Sequence, residues 1–597
     1  MAVTSDEKLR RLEELKERYA AERDKRLRDD GNNQYLGFEE LERQFDHDPF
    51  ADPDFTRDAL EEECEVAIIG AGMGGLMTGA RLMERGIKDI RIIDKAADFG
   101  GTWYWNRYPG AACDVESYCY MPFLEETGYM PTEKYAKAPE IFAHCQRIGR
   151  HFNLYDRSLF QTLVSELRWL DDENRWLVTT NRGDKIKARF VTIAGGIMHK
   201  AKLPGIPGVE TFGGHSFHTT RWDYGFTGGS PTERMEKLKD KKVAIIGTGA
   251  TAIQAVPRLA QDCEQLYVVQ RTPSAVGPRD NGPTDEEWFK SLEPGWQRKR
   301  MQNFTRMVSS EEVEQDLVQD GWTNIFKHIP NAYAASSEEQ QLADMEQMDK
   351  VRARVDAIIE DEETAEGLKP WYAMMCKRPC FHDEYLQSFN QENVTLVDTK
   401  GHGVDAIDET GLTVGGQHYD VDCIIYSTGF EISTFYVRRL GFEIYGRNGV
   451  SMSEDWGKQT GPHTLHGIHS HGFPNMFMFS LVQGGQTVNF VHLLTELAIH
   501  VAEIVKQCDA EGIEVIEATE EGEAQWWQKI MEFLMVSAEF RANCTPSYMN
   551  AEGRPDPSMI KIATYNGSMT SYGKILEDWR AEGDMPGLAK FKASEDA

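Results

Sequence analysis

Glu65-Val66-Ala67-Ile68-Ile69-Gly70-Ala71-Gly72-Met73-Gly74-Gly75 is the stretch that decides the fold. An apolar run of strand length enters a turn with glycines at its first, third and sixth positions, and Leu76–Arg85 then reads as a helix. Ile90–Ile93 is a second strand, ending at Asp94. Strand, helix and parallel strand make one βαβ unit. The same grammar returns downstream. Lys242–Ile246 is a strand, Gly247-Thr248-Gly249-Ala250-Thr251-Ala252 the turn, and a helix follows to about Ala260. Leu266–Val269 is the next strand, ending in Gln270-Arg271.

One such glycine pattern is weak by itself; the strand before it and the helix after it supply the required context. Gly70 and Gly247 would make the tight turn. Gly72 and Gly249, flanked by Thr248 and Thr251, would let backbone N–H groups approach a pyrophosphate at the helix N-terminus. Gly75 would let helix and strand pack closely, with Ala252 as the tolerated substitute in the second copy.

The residue closing each second strand selects the ligand. Asp94 and Arg271 stand at the same reach, 24 residues past the first glycine of their turns. A carboxylate accepts hydrogen bonds from the hydroxyls of an unmodified ribose, which suits FAD. A guanidinium, with the Thr272 hydroxyl beside it, suits a 2′-phosphate, hence NADPH. FAD first and NADPH second describes a flavoprotein oxidoreductase.

The expected fold class is α/β, with two Rossmann-like dinucleotide-binding domains. Working outward, 1–62 is an N-terminal helical extension, in which Leu9, Leu12, Leu15 and Tyr19 recur at helical spacing over residues 5–30. The FAD-binding domain takes 63–205 and, with one wall of the substrate site, 429–597. The NADP-binding domain takes 206–275 and 371–428, and 276–370 is an acidic helical insertion.

Of the 597 residues 40% are hydrophobic and 27% charged, which is ordinary for a globular protein, but the net charge is -32. Such a surface repels nucleic acid and acidic membranes. No apolar run approaches bilayer length and the charged N-terminus lacks a signal core, so a cytoplasmic location is the expectation. The ten cysteines include no CxxC and no good zinc spacing, so free thiols in a reducing compartment and no metal are expected.

Two further segments narrow the chemistry. Gly100-Gly101-Thr102-Trp103-Tyr104-Trp105-Asn106-Arg107-Tyr108-Pro109-Gly110-Ala111-Ala112-Cys113-Asp114 lies just past the second strand, where the chain should meet the flavin. Its glycines permit close backbone approach and its indoles can wall a flat ring. Phe212-Gly213-Gly214-His215-Ser216-Phe217-His218-Thr219-Thr220-Arg221-Trp222-Asp223 matches FxGxxxHxxxW[PD] at every fixed position.

With both fingerprints in place, the chain from about residue 15 to its end resembles the Baeyer–Villiger monooxygenases. Cys376-Lys377-Arg378-Pro379 matches the family's KRP segment and Gly472-Phe473-Pro474-Asn475 its GFPN segment. The helical extension and segments such as WYWNRYPGA resemble the branch acting on large-ring and polycyclic ketones. The resemblance implies that NADPH reduces FAD, that O2 adds to give a C4a-peroxyflavin, and that this attacks a ketone to give an ester or lactone. It implies Arg378 as the cation that stabilises developing negative charge, Asp114 as its orienting partner, and Lys377 beside Arg271 at the 2′-phosphate. Trp103 and Tyr120 are expected next to the flavin, although a plain core role for Tyr120 remains open. His218 reads either as a catalytic acid or base or as a linker hinge, the latter favoured, and Trp222 as packing. The expected partners are a small ketone and O2, with the chain a monomer or weak homo-oligomer. One departure from the small-ketone members is the stretch Cys544–Asn550, which lacks their tryptophan.

Three rivals stand beside this reading. A disulfide reductase needs CxxC or CxxxxC at the flavin, and Cys113 and Cys119 have one residue too many between them. A sulfide or amine flavin monooxygenase would carry a different linker. A non-catalytic dinucleotide sensor would bind FAD without consuming O2.

Overall fold

Both glycine turns sit between parallel strands of two separate sheets. The computed structural model describes residues 5–35, 47–334, 336–432, 434–457, 461–554 and 557–592. Glu61–Ile69 lies at the middle of the first sheet, paired in parallel with Ile90–Ile93 on one side and Lys185–Ile193 on the other. Covered on both faces, its last four residues are all buried, which is why they read as an unbroken apolar run. The strand order is 443–445, 164–170, 175–180, 185–193, 61–69, 90–93, 158–159, with Met476–Met478 added beside Lys185–Ile193. Two short strands from beyond residue 429 thus complete a sheet that begins before residue 70.

The second sheet has five strands, all parallel, in the order 394–398, 265–270, 242–246, 423–426, 215–218. The linker fingerprint supplies its edge: His215–His218 runs in register with Cys423–Tyr426. The α/β class with two nucleotide folds is therefore as the sequence predicts. Between the second-placed strand, 265–270, and the outer strand, 394–398, the chain makes the helices Trp296–Val308, Gly321–His328, Glu338–Ile358 and Glu362–Leu368. Asp320 with Thr323, and Ser337 with Gln340, close capping boxes that fix where two of them start.

The N-terminal helix spans Ser5–Asp24, stopping short of residue 30. Leu12 and Leu15 bury against Met345 of the helical insertion, and the Arg18 guanidinium stacks 3.2 Å from the Trp371 ring centroid. Its apolar stripe is consumed by docking on the body of the same chain.

The expectation of ten free thiols is corrected here. Cys376 and Cys544 form a disulfide across a sequence separation of 168. Spacing rules see only near neighbours, whereas this pair is brought together by the long helix Glu520–Asn543 ending beside the Lys377-Arg378 segment. The other eight cysteines are free and buried. Among the described residues no helix is long and apolar enough to cross a membrane.

Candidate active site

A cavity of about 960 Å³ runs from the first glycine turn to the second. The two turns are built alike. Gly70 has φ +110° and Gly247 φ +115°, and a Cβ on either would strike a backbone carbonyl, Ala194 O at 2.5 Å for the former and Ser427 O for the latter. Each carbonyl follows the neighbouring parallel strand, so the turn is squeezed against its sheet and only glycine fits. Gly72, Gly249, Thr248 and Thr251 line the cavity. Gly75 does not: it is buried beneath the turn, where a Cβ would collide with Gly70 O. Its contribution is to packing, not contact.

Asp94 points into the turn. Its Oδ2 accepts from Ala71 N at 2.5 Å and its Oδ1 from Ala96 N at 2.7 Å. Burial raises its pKa from the usual carboxylate value, while those two backbone donors pull the other way. Gly101 and Thr102 face the same space. Trp103 donates its indole N–H to Tyr120 Oη at 3.1 Å, the rings edge to face at 5.8 Å, and both rings reach the cavity wall.

Between the turns stands Arg378. Its Nη2 donates to both oxygens of Asp114, at 2.6 and 2.7 Å. Burial works against the guanidinium charge, but Asp114 outweighs it and the pKa rises, so Arg378 stays cationic at any working pH. Its Cζ also lies 4.9 Å from the Trp322 ring centroid, a contact from the helical insertion. The first fingerprint is bolted to the second nucleotide fold: Tyr108 Oη donates to Gln254 Oε1 at 2.8 Å, and Gln254 Nε2 donates to Ala112 O at 3.0 Å.

At the second turn Arg271 donates from Nη1 to Gln34 Oε1 at 2.6 Å and from Nη2 to Glu552 Oε2 at 3.0 Å. Thr272 Oγ1 accepts from Arg26 Nε at 3.1 Å. Lys377 faces the same end of the cavity. Burial, then repulsion from Arg271, bring its pKa down to about 8. A surplus of positive charge is thus confined where a phosphate would be welcome.

His218 and Trp222 lie outside the cavity lining. His218 is 1% exposed, its Nδ1 at 2.9 Å from Thr220 Oγ1, and burial followed by the Arg221 charge lowers its pKa to about 3. A neutral, enclosed imidazole at a strand end fits a linker role and not acid–base work on a ligand. Trp222 is fully buried and packs edge to face on Phe217 at 5.2 Å.

The sequence reading missed several lining residues: Gln34 and Tyr35 of the extension, Lys202, Gln254, Tyr548 and Glu552. None sits in a local pattern. Only Gln254, on the inner face of the second nucleotide helix, carried a signal, because a polar side chain on a buried helix face calls for a partner.

Cys113 and Cys119 are unjoined and buried, and burial raises both pKa values. Two nucleotide folds sharing one cavity, with an acidic residue closing the first and a basic residue the second, define the site as that of a two-dinucleotide flavoprotein oxidoreductase. The sequence model of the pyridine nucleotide-disulphide oxidoreductase family matches residues 67–315. The Baeyer–Villiger monooxygenase ATR8 of Stachybotrys chlorohalonatus is 47% identical over 98% of this chain and 95% of its own. The neopentalenolactone D synthase of Streptomyces avermitilis is 48% identical over 97% and 99%. The solved polycyclic ketone monooxygenase of Thermothelomyces thermophila superposes with a TM-score of 0.91 at 39% identity, covering 98% of this chain and 99% of that one. The chain belongs to the Baeyer–Villiger monooxygenases, which use FAD, NADPH and O2 to convert ketones to esters or lactones.

Proposed function

We propose that this enzyme oxygenates bulky ketones, large-ring or polycyclic, with Arg378 as its charge-stabilising catalytic residue and Asp114 as the residue that positions it. The observation that carries the reading is the Arg378–Asp114 pair on the wall of the cavity between the two glycine turns. The substrate class rests on relatives whose names specify polycyclic ketone and pentalenolactone-type chemistry.

The residues present fit both cofactors. A Cβ on Gly101 would lie 2.6 Å from Gly72 Cα, so the turn and the fingerprint mesh into one smooth cradle. Asp94 is set to accept ribose hydroxyls, and Trp103 with Tyr120 to wall a flat ring. Arg271, Thr272 and Lys377 would take the 2′-phosphate of NADPH, with Gly247, Thr248, Gly249 and Thr251 around its pyrophosphate. FAD, when bound, supplies the hydride acceptor and the oxygen-activating ring. The chain supplies the field: Arg378 faces the negative charge that develops on the substrate's carbonyl oxygen, and a fixed cation already oriented by Asp114 needs no reorganisation at that moment. Because it remains protonated, Arg378 donates hydrogen bonds without giving up a proton. Trp322, its ring centroid 4.9 Å from Arg378 Cζ, covers one side of the guanidinium, and Tyr548 lines the same cavity. An alternative, preferential oxidation of sulfides or amines, has no such observation behind it.

Arg378→Ala tests the reading. Loaded with FAD and given NADPH and a panel of cyclic ketones of rising ring size plus a steroid, the variant should consume NADPH without forming ester or lactone, as read by product mass. Lactone formed at the wild-type rate would remove Arg378 from the mechanism. Turnover confined to the smallest ring in the wild type would remove the bulky-ketone assignment.

A further inference from the structure

The end of the cavity that carries Arg271 is not open. Glu552, 3% exposed, reaches in from the segment after Cys544. Its Oε1 accepts from Lys202 Nζ at 3.0 Å and its Oε2 from Arg271 Nη2 at 3.0 Å. Both oxygens are therefore spent on cations, one from the strand-to-linker segment and one from the strand end that selects the coenzyme. Lys377 adds a third cation to the same pocket. The Lys202 ammonium also stands 4.3 Å from the Tyr35 ring centroid. Three cations facing one carboxylate leave the pocket short of negative charge, which a phosphomonoester dianion satisfies better than a carboxylate.

We infer that Glu552 is an internal occupant of the 2′-phosphate subsite, and that NADPH binds by exchanging its 2′-phosphate for this carboxylate. The inference rests on the assignment of Arg271 to the 2′-phosphate. Burial opposes the Glu552 charge, but Lys202 and Arg271 outweigh it and hold its pKa down at about 2, so the occupant is an anion throughout the working pH range. The backbone that delivers it is a tight turn: Glu552 N donates to Ser547 O at 2.8 Å, and Asn550 Oδ1 accepts from Ser547 N and Gly553 N. Ala551 and Glu552 are successive non-glycine residues in the left-handed region, at φ +51° and +57°. Such a conformation persists only while surrounding contacts enforce it, and the two Glu552 ion pairs are among those contacts. The exchange also sharpens coenzyme choice. A 2′-phosphate repays Arg271 and Lys202 for the departing carboxylate, whereas the 2′-hydroxyl of NADH does not, so Glu552 acts against the wrong coenzyme. The same segment bears Ser547, which donates to Cys376 O at 3.2 Å, and Tyr548 at the cavity wall, so its displacement is felt beside Arg378.

The test uses FAD-loaded enzyme and 2′,5′-ADP, with 5′-ADP as the control lacking the 2′-phosphate. An internal competitor lowers the apparent affinity by the fraction of time that it occupies the site. Glu552→Gln should therefore bind 2′,5′-ADP about tenfold more tightly than wild type in calorimetric titration. In wild type, 2′,5′-ADP should speed hydrogen–deuterium exchange across residues 545–554, and 5′-ADP should not. That second measurement needs no variant, so poor folding of Glu552→Gln would not spoil it. Unchanged or weakened binding by Glu552→Gln, or unchanged exchange in wild type, overturns the proposal: Glu552 would then stay in place and support Arg271 from behind. If instead Arg271→Ala binds 2′,5′-ADP as well as wild type, it is the assignment of Arg271 that falls, and the exchange model with it.

Discussion

Asp114→Asn isolates the pair on which the chemistry turns. The substitution keeps the size of the side chain and one acceptor oxygen but removes the charge. Asp114 is 12% exposed and Arg378 31% exposed, so the pair is neither fully solvated nor fully enclosed. Both carboxylate oxygens lie within 2.7 Å of one guanidinium nitrogen. Hydrogen bonds to charged groups contribute about 1.5–3 kcal/mol. Partial exposure argues for the middle of that range, and a loss of about 2 kcal/mol that acts only when negative charge develops corresponds to roughly 30-fold in kcat. The KM for NADPH should hardly move, because Asp114 touches nothing at the Arg271 end. The assay is lactone formation at saturating NADPH and ketone, with flavin content and melting temperature measured alongside. A kcat within about threefold of wild type, with flavin retained, would refute the positioning argument. So would a loss that appears wholly in the KM for NADPH, since the interaction would then serve binding and not the developing charge.

Two further outcomes follow from features away from the flavin. His463 sits between Asp455 and Glu523, at 2.8 Å from each; burial opposes its charge, but the carboxylates outweigh it and raise its pKa from 6.5 to about 9. A raised pKa stabilises the fold fully below the unfolded value and ceases to do so as pH climbs through the folded one. Wild type should therefore lose up to about 3 kcal/mol between roughly pH 6 and pH 10, a loss His463→Gln should not show in urea unfolding followed across that range. Equal pH profiles would exclude the histidine. Cys544→Ser removes a crosslink spanning 168 residues, which by loop-closure entropy contributes on the order of 5 kcal/mol. Its unfolding midpoint should fall to that of wild type held in excess dithiothreitol; a variant as stable as oxidised wild type would show that the bond does not form.

What the sequence disclosed was whatever the chain writes locally. Gly70 and Gly247, and the residues Asp94 and Arg271 that close their second strands, belong to single βαβ units, so pattern and spacing were enough. Arg378 and Asp114 are 264 positions apart, and only the family resemblance brought them together in advance. The rest of the site had no such help. Gln34, Lys202 and Glu552 come to Arg271 from three distant segments, and nothing in the local sequence around any of the three marks it as part of a site. The strands Glu443–Tyr445 and Met476–Met478 are three residues each, too short to show a period, and they form because a sheet edge and a core are already there. Cys376 and Cys544 belong with them: a bond between buried residues so far apart is a property of the folded chain and not of spacing.

The meshing of Gly101 with Gly72 carries a consequence for redesign. Position 101 must stay glycine because the Gly72 backbone fills the space that a side chain would need, whereas a Cβ on Gly72 would stand 3.4 Å from Gly101 Cα, an ordinary contact. A variant library that diversifies residues 100–102 while holding the first glycine turn fixed would lose to this clash every member with a side chain at position 101. Paired libraries, in which the turn and the fingerprint are exchanged together from another member of the family, are the ones in which a working flavin cradle can be found.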